Sequence, residues 1–237
     1  MNHSLLTELD TILDLLTDHV EAGYRRQRPT AIAAAQYDGA TAAPAALSAG
    51  DRAAELRELE QQVRCCTLCP LHQGRTHGVP GIGVLDPLVM VIGEGPGAEE
   101  DHKGEPFVGA AGRYLDKWLA AIDLSRASNV YITNIVKCRP PNNRDPLPAE
   151  SRACAPYLAR QIELVRPRAI LSVGRVAAQL LLQKEDGIGK LRGRSWKYRD
   201  IPLVATYHPS GVLRNDQWRR PVWEDLKRLR ELLDSSR

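Results

Sequence analysis

Hydrophobic positions recur along the chain with two periods, which together predict an alternation of strands and helices. Four short runs of apolar and β-branched residues have the length and composition of buried strands. These runs are residues 88–92, 130–136, 169–173 and 202–207. Helical patterns lie between and after them, at residues 110–122, 148–165, 176–183 and 218–233. Because alternating strands and helices are typical of a parallel sheet covered on both faces, we predict a three-layer α/β/α fold with a four-stranded parallel sheet.

The first fifty residues have a different character from the rest of the chain. Residues 1–28 place apolar side chains at helical spacing between acidic ones and predict an amphipathic helix. Residues 29–50 are rich in alanine and low in charge, which is typical of a linker. A domain spanning residues 51–237 would follow. Since the extension is acidic, we expect it to contact a protein partner or fold back onto the domain rather than bind DNA.

The composition of the chain excludes some classes of protein. Hydrophobic residues make up 43% of the 237 and charged residues 26%, which is ordinary for a globular protein. No apolar run reaches the roughly 18 residues of a membrane span, and the N-terminus lacks the basic start of a signal peptide. We therefore expect a cytoplasmic monomer with reduced thiols and no membrane association.

The basic residues are unevenly distributed. Residues 1–62 carry five arginines against ten acidic residues, whereas residues 63–237 carry 27 basic against 19 acidic residues. A positive surface on the second region would suit a polyanion such as nucleic acid, although a solvated basic face would give the same count.

Unusual residues follow each predicted strand. In open α/β sheets, ligands bind beyond the carboxyl ends of the strands, so residues 93–97, 134–138, 174–175 and 208–210 mark the predicted site. Residues 93–98 also satisfy the loose dinucleotide pattern G-x-G-x-x-A. Glu94 within this turn, and three acidic residues at 99–101, disfavour a pyrophosphate there. We favour a carboxylate-lined pocket for a neutral ligand over a Rossmann-type nucleotide enzyme.

Four of the five cysteines form a pattern that predicts a metal site. Cys66 and Cys69 are a chelating pair, and fifteen residues separate Cys138 from Cys154. Four thiolates suit tetrahedral zinc or an iron–sulfur cluster, and the spacing does not choose between them. Cys65 is the unassigned fifth cysteine.

Taken together, these motifs resemble the iron–sulfur (family-four) uracil-DNA glycosylases, over about residues 58–233. The matching segments are residues 66–70, 93–97, 104–109, 133–134, 137–140 with Cys154, and 207–210. The resemblance implies the four-stranded parallel sheet and a [4Fe–4S] cluster on the four cysteines. It also implies a DNA repair enzyme that hydrolyses the N-glycosidic bond of uracil in DNA and leaves an abasic site.

The resemblance assigns roles in binding the flipped base. Phe107 would stack on uracil, and Asn134 would accept from N3–H and donate to O4, a pattern that cytosine reverses. His208 would donate to O2, where negative charge develops, helped by backbone N–H groups from Gly93 to Gly95.

The remaining assignments concern water and DNA. Glu94 and Glu100 are the candidate groups that activate water, and Glu100 is alternatively a wall against the methyl group of thymine. Ser210, Leu213 and Arg214 would lie against DNA, with Leu213 filling the gap left by the flipped base. Further candidate phosphate contacts are Arg139, Arg192 and Arg194. A DNA-binding module without efficient turnover is the rival hypothesis.

Overall fold

A computed structural model describes residues 47–235 of the protein. The predicted N-terminal helix, most of the linker and the segment expected to meet a protein partner lie outside these residues. The first described helix, α1 (Ala49–Cys65), begins two residues before the predicted domain start. The reason is a capping box, in which Ser48 and Asp51 each accept a hydrogen bond from the other's backbone N–H. The last two residues assigned to the linker therefore belong to the first turn of α1.

Six strands and eight helices follow one another along the described chain. The strands are β1 (Ile82–Gly83), β2 (Val89–Gly93), β3 (Val130–Asn134), β4 (Ala169–Val173), β5 (Ser195–Tyr198) and β6 (Ile201–Thr206). The helices after α1 are α2 (Ala98–Lys103), α3 (Ala110–Ala120), α4 (Pro148–Val165), α5 (Arg175–Leu182), α6 (Ile188–Leu191), α7 (Pro209–Arg214) and α8 (Arg219–Ser235). No helix among residues 47–235 is long and apolar enough to cross a membrane.

The sheet is mixed and has six strands in the order β1-β3-β2-β4-β6-β5. The four predicted strands form the parallel centre of this sheet. The prediction of a four-stranded, entirely parallel sheet was incomplete, because the sheet has two further strands. Strands β1 and β5 add antiparallel edges that the hydrophobic pattern missed. β1 has only two residues, and β5 alternates exposed with half-buried side chains, so neither forms an apolar run. The second predicted strand, which is β3, also ends two residues early, at Asn134.

Helices cover both faces of the sheet, as predicted. Alternate residues along each central strand point to opposite faces. In β2, Met90 and Ile92 pack in one core with residues from α1, α4 and α5. Val89 and Val91 pack in the second core with residues from α3 and α8. All five β2 residues are buried, which explains why its sequence is apolar throughout.

Candidate active site

A cavity of about 590 Å³ lies at the carboxyl ends of the parallel strands. We call it the carboxyl-edge pocket. Its lining comes from the segments that follow β2, β3, β4 and β6 and includes Glu94, Gly95, Glu100, Phe107, Asn134, Asn143, Arg144, Asp145, Arg175, Tyr207, His208, Ser210, Arg214 and Trp218. The position of the pocket agrees with the general rule for open α/β sheets. It brings together predicted substrate residues from four separate segments of the sequence, at residues 94–95, Phe107, Asn134 and His208.

Gly93 explains how Phe107 and Asn134 come together. A Cβ atom at Gly93 would lie 2.4 Å from Asn134 Oδ1 and 2.6 Å from Phe107 Cζ. Since real Cβ atoms do not approach other atoms so closely, only glycine allows both side chains to reach this point. Gly93 itself ends β2 and pairs with Asn134 across the parallel ladder. The sheet register therefore fixes Asn134 beside Gly93, and the loop that carries Phe107 brings the ring to the same point.

The Asn134 side chain is buried and has a free acceptor. Asn134 is 1% exposed, and its Oδ1 has no hydrogen-bond partner among the described residues. A buried polar atom without a partner costs about 1–3 kcal/mol, so such atoms are rare in folded proteins. In the wall of a cavity, an unpartnered oxygen is available to a ligand that donates a hydrogen bond. Asn134 is thus suited to read a donor on the ligand's edge.

Phe107 occupies a constrained position on the pocket wall. It is 6% exposed and has a positive φ of 55°, which is uncommon for a residue with a side chain. Arg126 donates to the carbonyl oxygen of Phe107 at 3.0 Å and holds the loop. The Phe107 ring lies 5.7 Å from the His208 ring, measured between centroids. Strained backbone of this kind is retained where surrounding contacts impose it and is concentrated at functional sites.

Glu100 holds the loop that carries Phe107. Its Oε1 accepts from the backbone N–H groups of Val108 and Gly109 at 3.0 and 2.9 Å. Its Oε2 accepts from the backbone N–H of Gly97 at 3.1 Å. Three N–H donors thus converge on this carboxylate and hold it in place. The contacts give Glu100 a positioning role beside Phe107 and leave its oxygens little capacity to accept a proton from water.

Glu94 has a different environment from Glu100. Burial, together with the neighbouring negative charge of Asp145, raises the pKa of Glu94 to about 7, while Arg175 acts in the opposite direction. Arg175 is also ion-paired with Asp145. A carboxyl group with a pKa near neutrality on the wall of a pocket is suited to accept a proton. Gly95 beside it has no room for a side chain, since a Cβ atom there would lie 2.8 Å from Val136 Cγ2.

His208 is the N-cap of α7, and its ring is held by Ser210. The backbone N–H of Ser210 donates to His208 Nδ1 at 3.2 Å, and the Ser210 hydroxyl lies 2.8 Å from the same nitrogen. Because a backbone N–H can only donate, Nδ1 is an acceptor and the neutral ring carries its proton on Nε2. Burial and the charge of Arg214 lower the pKa of His208 to about 4, so the ring is neutral at pH 7. His208 therefore has one N–H to offer a ligand.

The residues predicted to meet DNA lie on or near the pocket rim. Ser210 and Arg214 line the pocket, and Leu213 between them is 45% exposed. Arg194 is exposed, and Arg139 is half-buried and donates to Asn143 Oδ1. Arg192 is different, because its guanidinium pairs with the buried carboxylate of Asp225 at 2.8 Å. The prediction that Arg192 contacts phosphate is therefore not supported by its contacts, which make it part of the domain interior.

Several lining residues were missed by the sequence analysis. Arg144 and Asp145 line the pocket from the loop before α4, which has no recognisable motif. Arg175, which the sequence placed at the predicted site, also lines the pocket, as the first residue of α5. Trp218 stacks on Tyr207, with ring centroids 4.3 Å apart and planes nearly parallel. The aromatic residue at 207 stands directly before His208, a signal that could have marked it as part of the rim.

The four predicted metal-ligating cysteines surround a second, much smaller cavity. The cysteine cavity, about 10 Å³, is lined by Val63, Cys66, Leu68, Cys69, Lys137, Cys138, Ala153, Cys154 and Tyr157. Cys65 is exposed at the end of α1 and does not line it. Within residues 47–235, no three His, Cys, Asp or Glu side chains are arranged to hold a single metal ion. The predicted set of four is therefore brought to one place, but not in the compact geometry that one ion needs.

Hydrogen-bond donors approach the sulfur atoms. Arg75 donates to Cys138 Sγ at 2.9 Å, and the backbone N–H of Leu68 lies 3.5 Å from Cys66 Sγ. Burial raises the pKa of the Cys154 thiol to about 11, so a metal group bound there would have to displace a proton. The donor set and the N–H···S contacts fit a group that binds thiolates.

Comparisons with known proteins agree with this site. The sequence model of the Uracil DNA glycosylase superfamily matches residues 80–227. The chain is 42% identical over 185 residues to the type-4 uracil-DNA glycosylase of Archaeoglobus fulgidus, covering 75% of this chain and 92% of that protein. It is also 42% identical over 184 residues to the Thermotoga maritima protein of the same name, covering 76% and 95%. A type-5 uracil-DNA glycosylase of Thermus thermophilus is 35% identical over 152 residues, covering 56% and 68%. The predicted family is confirmed, because this chain belongs to the uracil-DNA glycosylase superfamily and is similar to type-4 members over most of its length.

Proposed function

We propose that this protein excises uracil from DNA by hydrolysing the N-glycosidic bond, leaving an abasic site. The observation that carries the proposal is the unpartnered Asn134 Oδ1, buried beside the Phe107 ring at the pocket wall. Uracil offers an N3–H donor on its edge, and this acceptor would receive it. Cytosine has no hydrogen at N3 and would leave the same oxygen unpaired, at a cost that allows strong discrimination.

Uracil must leave the base stack before it can enter the pocket. Flipping a nucleotide costs a few kcal/mol, and stacking on an aromatic ring returns about 1–3 kcal/mol per base. Phe107 would supply this stacking surface, with its loop held by Glu100 and Arg126. Exposed Leu213 and the Arg214 side chain, on α7 at the pocket rim, would contact the DNA around the flipped nucleotide.

Bond cleavage makes the sugar positive and the departing uracil negative at O2. The Nε2–H of neutral His208 would donate to this oxygen, and its proton position is supported by the Ser210 contact with Nδ1. A donor positioned before the reaction starts is commonly the largest contribution to lowering such a barrier. Glu94, with its pKa of about 7, would accept a proton from the attacking water or stabilise the sugar cation. The contacts of Glu100 favour Glu94 over Glu100 for this role.

We also propose that Cys66, Cys69, Cys138 and Cys154 hold a [4Fe–4S] cluster. A tetrahedral zinc ion draws four sulfur atoms to within about 2.3 Å of one point, whereas a cluster takes one thiolate on each of its four irons. The convergence of four cysteines on one cavity, with N–H···S contacts at Cys66 and Cys138, supports a thiolate-bound group, and the family resemblance favours the cluster over zinc. Such a group would cross-link the end of α1 to α4 and to the loop after β3, as a structural metal does.

An oligonucleotide with one uracil tests the activity. Incubation with the purified protein should give an alkali-labile site at the uracil, and the same sequences with cytosine or thymine should stay intact. Tight binding of the uracil strand without strand breakage after alkali would instead support the DNA-binding module. The cofactor is tested separately, because iron and sulfide content and visible absorption are measured on the protein alone. Colourless protein containing stoichiometric zinc would contradict the cluster.

A further inference from the structure

A lysine is completely buried between the carboxyl-edge pocket and the cysteine cavity. Lys137 follows β3, is 1% exposed, and precedes the proposed ligand Cys138. Its side chain helps to line the cysteine cavity. Its backbone N–H interacts with Cys154, and its carbonyl oxygen accepts from Val79 N–H at 2.7 Å. Lys137 therefore lies close to both cavities but lines only the cysteine cavity.

The ammonium group of Lys137 makes three short hydrogen bonds. Nζ donates to the Asn134 carbonyl oxygen at 2.7 Å, to Thr133 Oγ1 at 2.7 Å and to Gln161 Oε1 at 2.6 Å. All three acceptors are neutral oxygens, and no carboxylate in the described part of the chain pairs with this charge. Three donors meeting three acceptors satisfy the group fully, so the ammonium has one defined position.

The acceptors of Lys137 are themselves anchored. Thr133 Oγ1 donates to the Pro80 carbonyl oxygen at 2.7 Å, and Gln161 Nε2 donates to the same oxygen at 2.8 Å. These contacts join the end of β3 to α4 and to the segment before β1. The only acceptor of Lys137 that belongs to a residue of the carboxyl-edge pocket is the carbonyl of Asn134. The network thus fixes the peptide of the residue that would read uracil.

A buried charge without a charged partner is expensive. Removing an ion from water costs several kcal/mol even after the protein relaxes, and apolar residues of similar volume often replace buried ions without loss of stability. A methionine would fill the same space. Thiolates at Cys138 and Cys154 would offset part of this cost, but Nζ donates its hydrogen bonds to Thr133, Asn134 and Gln161 and not to sulfur. The direction of these hydrogen bonds ties Lys137 to the Asn134 peptide.

We propose that Lys137 is a positioning residue for uracil recognition, which holds the Asn134 peptide so that the Asn134 amide faces the base. This inference rests on the proposed function, since it needs Asn134 to bind uracil. Lys137 touches no substrate. It acts through Asn134 and connects the base-reading amide to the loop that carries Cys138. Without the ammonium, the Asn134 peptide loses its donor and the amide loses its fixed position.

Two DNA probes separate this role from a general effect on folding. One duplex carries 2′-fluoro-2′-deoxyuridine, which keeps the base attached, and the other carries a tetrahydrofuran abasic analogue. We expect Lys137→Met to bind the fluorinated uracil duplex about tenfold more weakly and the abasic analogue as tightly as wild type does. The single-turnover rate of uracil excision should fall about 10- to 100-fold, because a misplacement of about 1 Å can cost a factor of 10². Iron content should stay at the wild-type level.

Two further variants separate a specific role of Lys137 from a general effect of losing a lysine or of misfolding. Lys117→Met changes an exposed lysine on α3 and should leave both affinities and the rate unchanged. If Lys137→Met does not fold, Thr133→Val decides the question, since it removes one acceptor and should lower uracil affinity and rate about three- to tenfold. Wild-type rate and uracil affinity in either folded variant would overturn the proposal. Equal losses on both DNA probes, or loss of iron, would also overturn it. Failure of the wild-type protein to excise uracil would instead refute the proposed function.

Discussion

The carboxyl-edge pocket and the cysteine cavity share one loop of the chain but are built in opposite ways. The pocket is large, about 590 Å³, and is lined by charged and polar groups from the ends of four strands. The cysteine cavity is about 10 Å³, is lined mostly by sulfur and apolar atoms, and lies away from the strand ends. In the pocket, the sheet register places Asn134, and a loop held by Glu100 and Arg126 places Phe107. At the cysteines, three separate segments meet without a shared strand.

This difference indicates how each region affects the free energy of folding. The pocket keeps an unpartnered oxygen at Asn134 and an unusual backbone conformation at Phe107, both of which cost stability. The cysteine cavity brings together thiols whose burial already disfavours their charged form at Cys138 and Cys154. A metal group bound there would return stability to the loop that carries Lys137 and, through it, Asn134. On this account, one region binds substrate and the other maintains the geometry for it.

The largest effect is expected from removing one proposed ligand. Cys138→Ser should abolish the iron content and lower the free energy of unfolding by about 5 kcal/mol, part of the roughly 10–16 kcal/mol measured for structural zinc. For a domain of this size, that corresponds to a fall in Tm of about 10–20 °C. Cys65→Ser is the matched control, since Cys65 is exposed and outside the cavity, and it should change neither quantity. Wild-type iron content in Cys138→Ser would remove this cysteine from the ligand set.

The next largest effect is expected at the pocket's free acceptor. Asn134→Asp retains an oxygen for N3–H but cannot donate to O4, so excision should slow about 10²- to 10³-fold, or about 3–4 kcal/mol. Its iron content and Tm should stay close to those of wild type. Ser172→Ala provides the control, because Ser172 Oγ is also buried without a partner but does not line the pocket. Single-turnover kinetics on a uracil duplex measures both, and equal rates in the two variants would exclude Asn134 from base reading.

A smaller loss is expected when the ring is removed. Phe107→Leu keeps most of the apolar volume but loses the aromatic face, so excision should fall about 5- to 100-fold, in line with stacking energies of about 1–3 kcal/mol per base. In single-turnover experiments, the half-saturating enzyme concentration should rise, because stacking holds the flipped base in the pocket. An unchanged dependence on enzyme concentration would mean that the base does not rest on Phe107.

The last prediction concerns the pH dependence of the reaction. Burial raises the pKa of Glu94 to about 7, so its carboxylate form is lost as the pH falls through 7. If Glu94 assists the water, the single-turnover rate should fall about tenfold per pH unit between pH 6 and 5 and level off above about pH 8. His208, with a pKa of about 4, should add no inflection in this range. Glu94→Gln should be slow and independent of pH. A profile of wild type that is flat from pH 5 to 8 would exclude this role.

The sequence predicted the centre of the fold better than its margins. Residues such as Met90 and Val91 stand in apolar runs because both faces of a central parallel strand are buried, so those strands could be found. The β5 residues Trp196 and Lys197 lie on an edge strand, where one side is open and the polar residues hide the pattern. Strand ends near Asn134 were uncertain because the chain continues beside β2 after regular pairing stops, with the Ile135 N–H donating to the Gly93 carbonyl.

Site residues could be predicted from the sequence where the function requires a particular residue type at a strand end. They could not be predicted where the path of a loop determines which groups come into contact. Asn134 and His208 follow strands and so mark the carboxyl edge. The role of Glu100 depends on the path of the loop to Val108, which no local pattern records. The ion pair of Arg192 was not visible in the sequence because its partner, Asp225, is 33 residues away. Such long-range pairs are set by tertiary packing alone.

The central claim is that the buried Asn134 oxygen recognises the N3–H of an everted uracil beside Phe107. Excision of N3-methyluracil from a duplex tests this most directly, since the methyl group replaces the one hydrogen that Asn134 Oδ1 would accept. We predict rapid release of uracil and, under the same single-turnover conditions, no release of N3-methyluracil above background. Release of the methylated base at a rate similar to that of uracil would contradict the account.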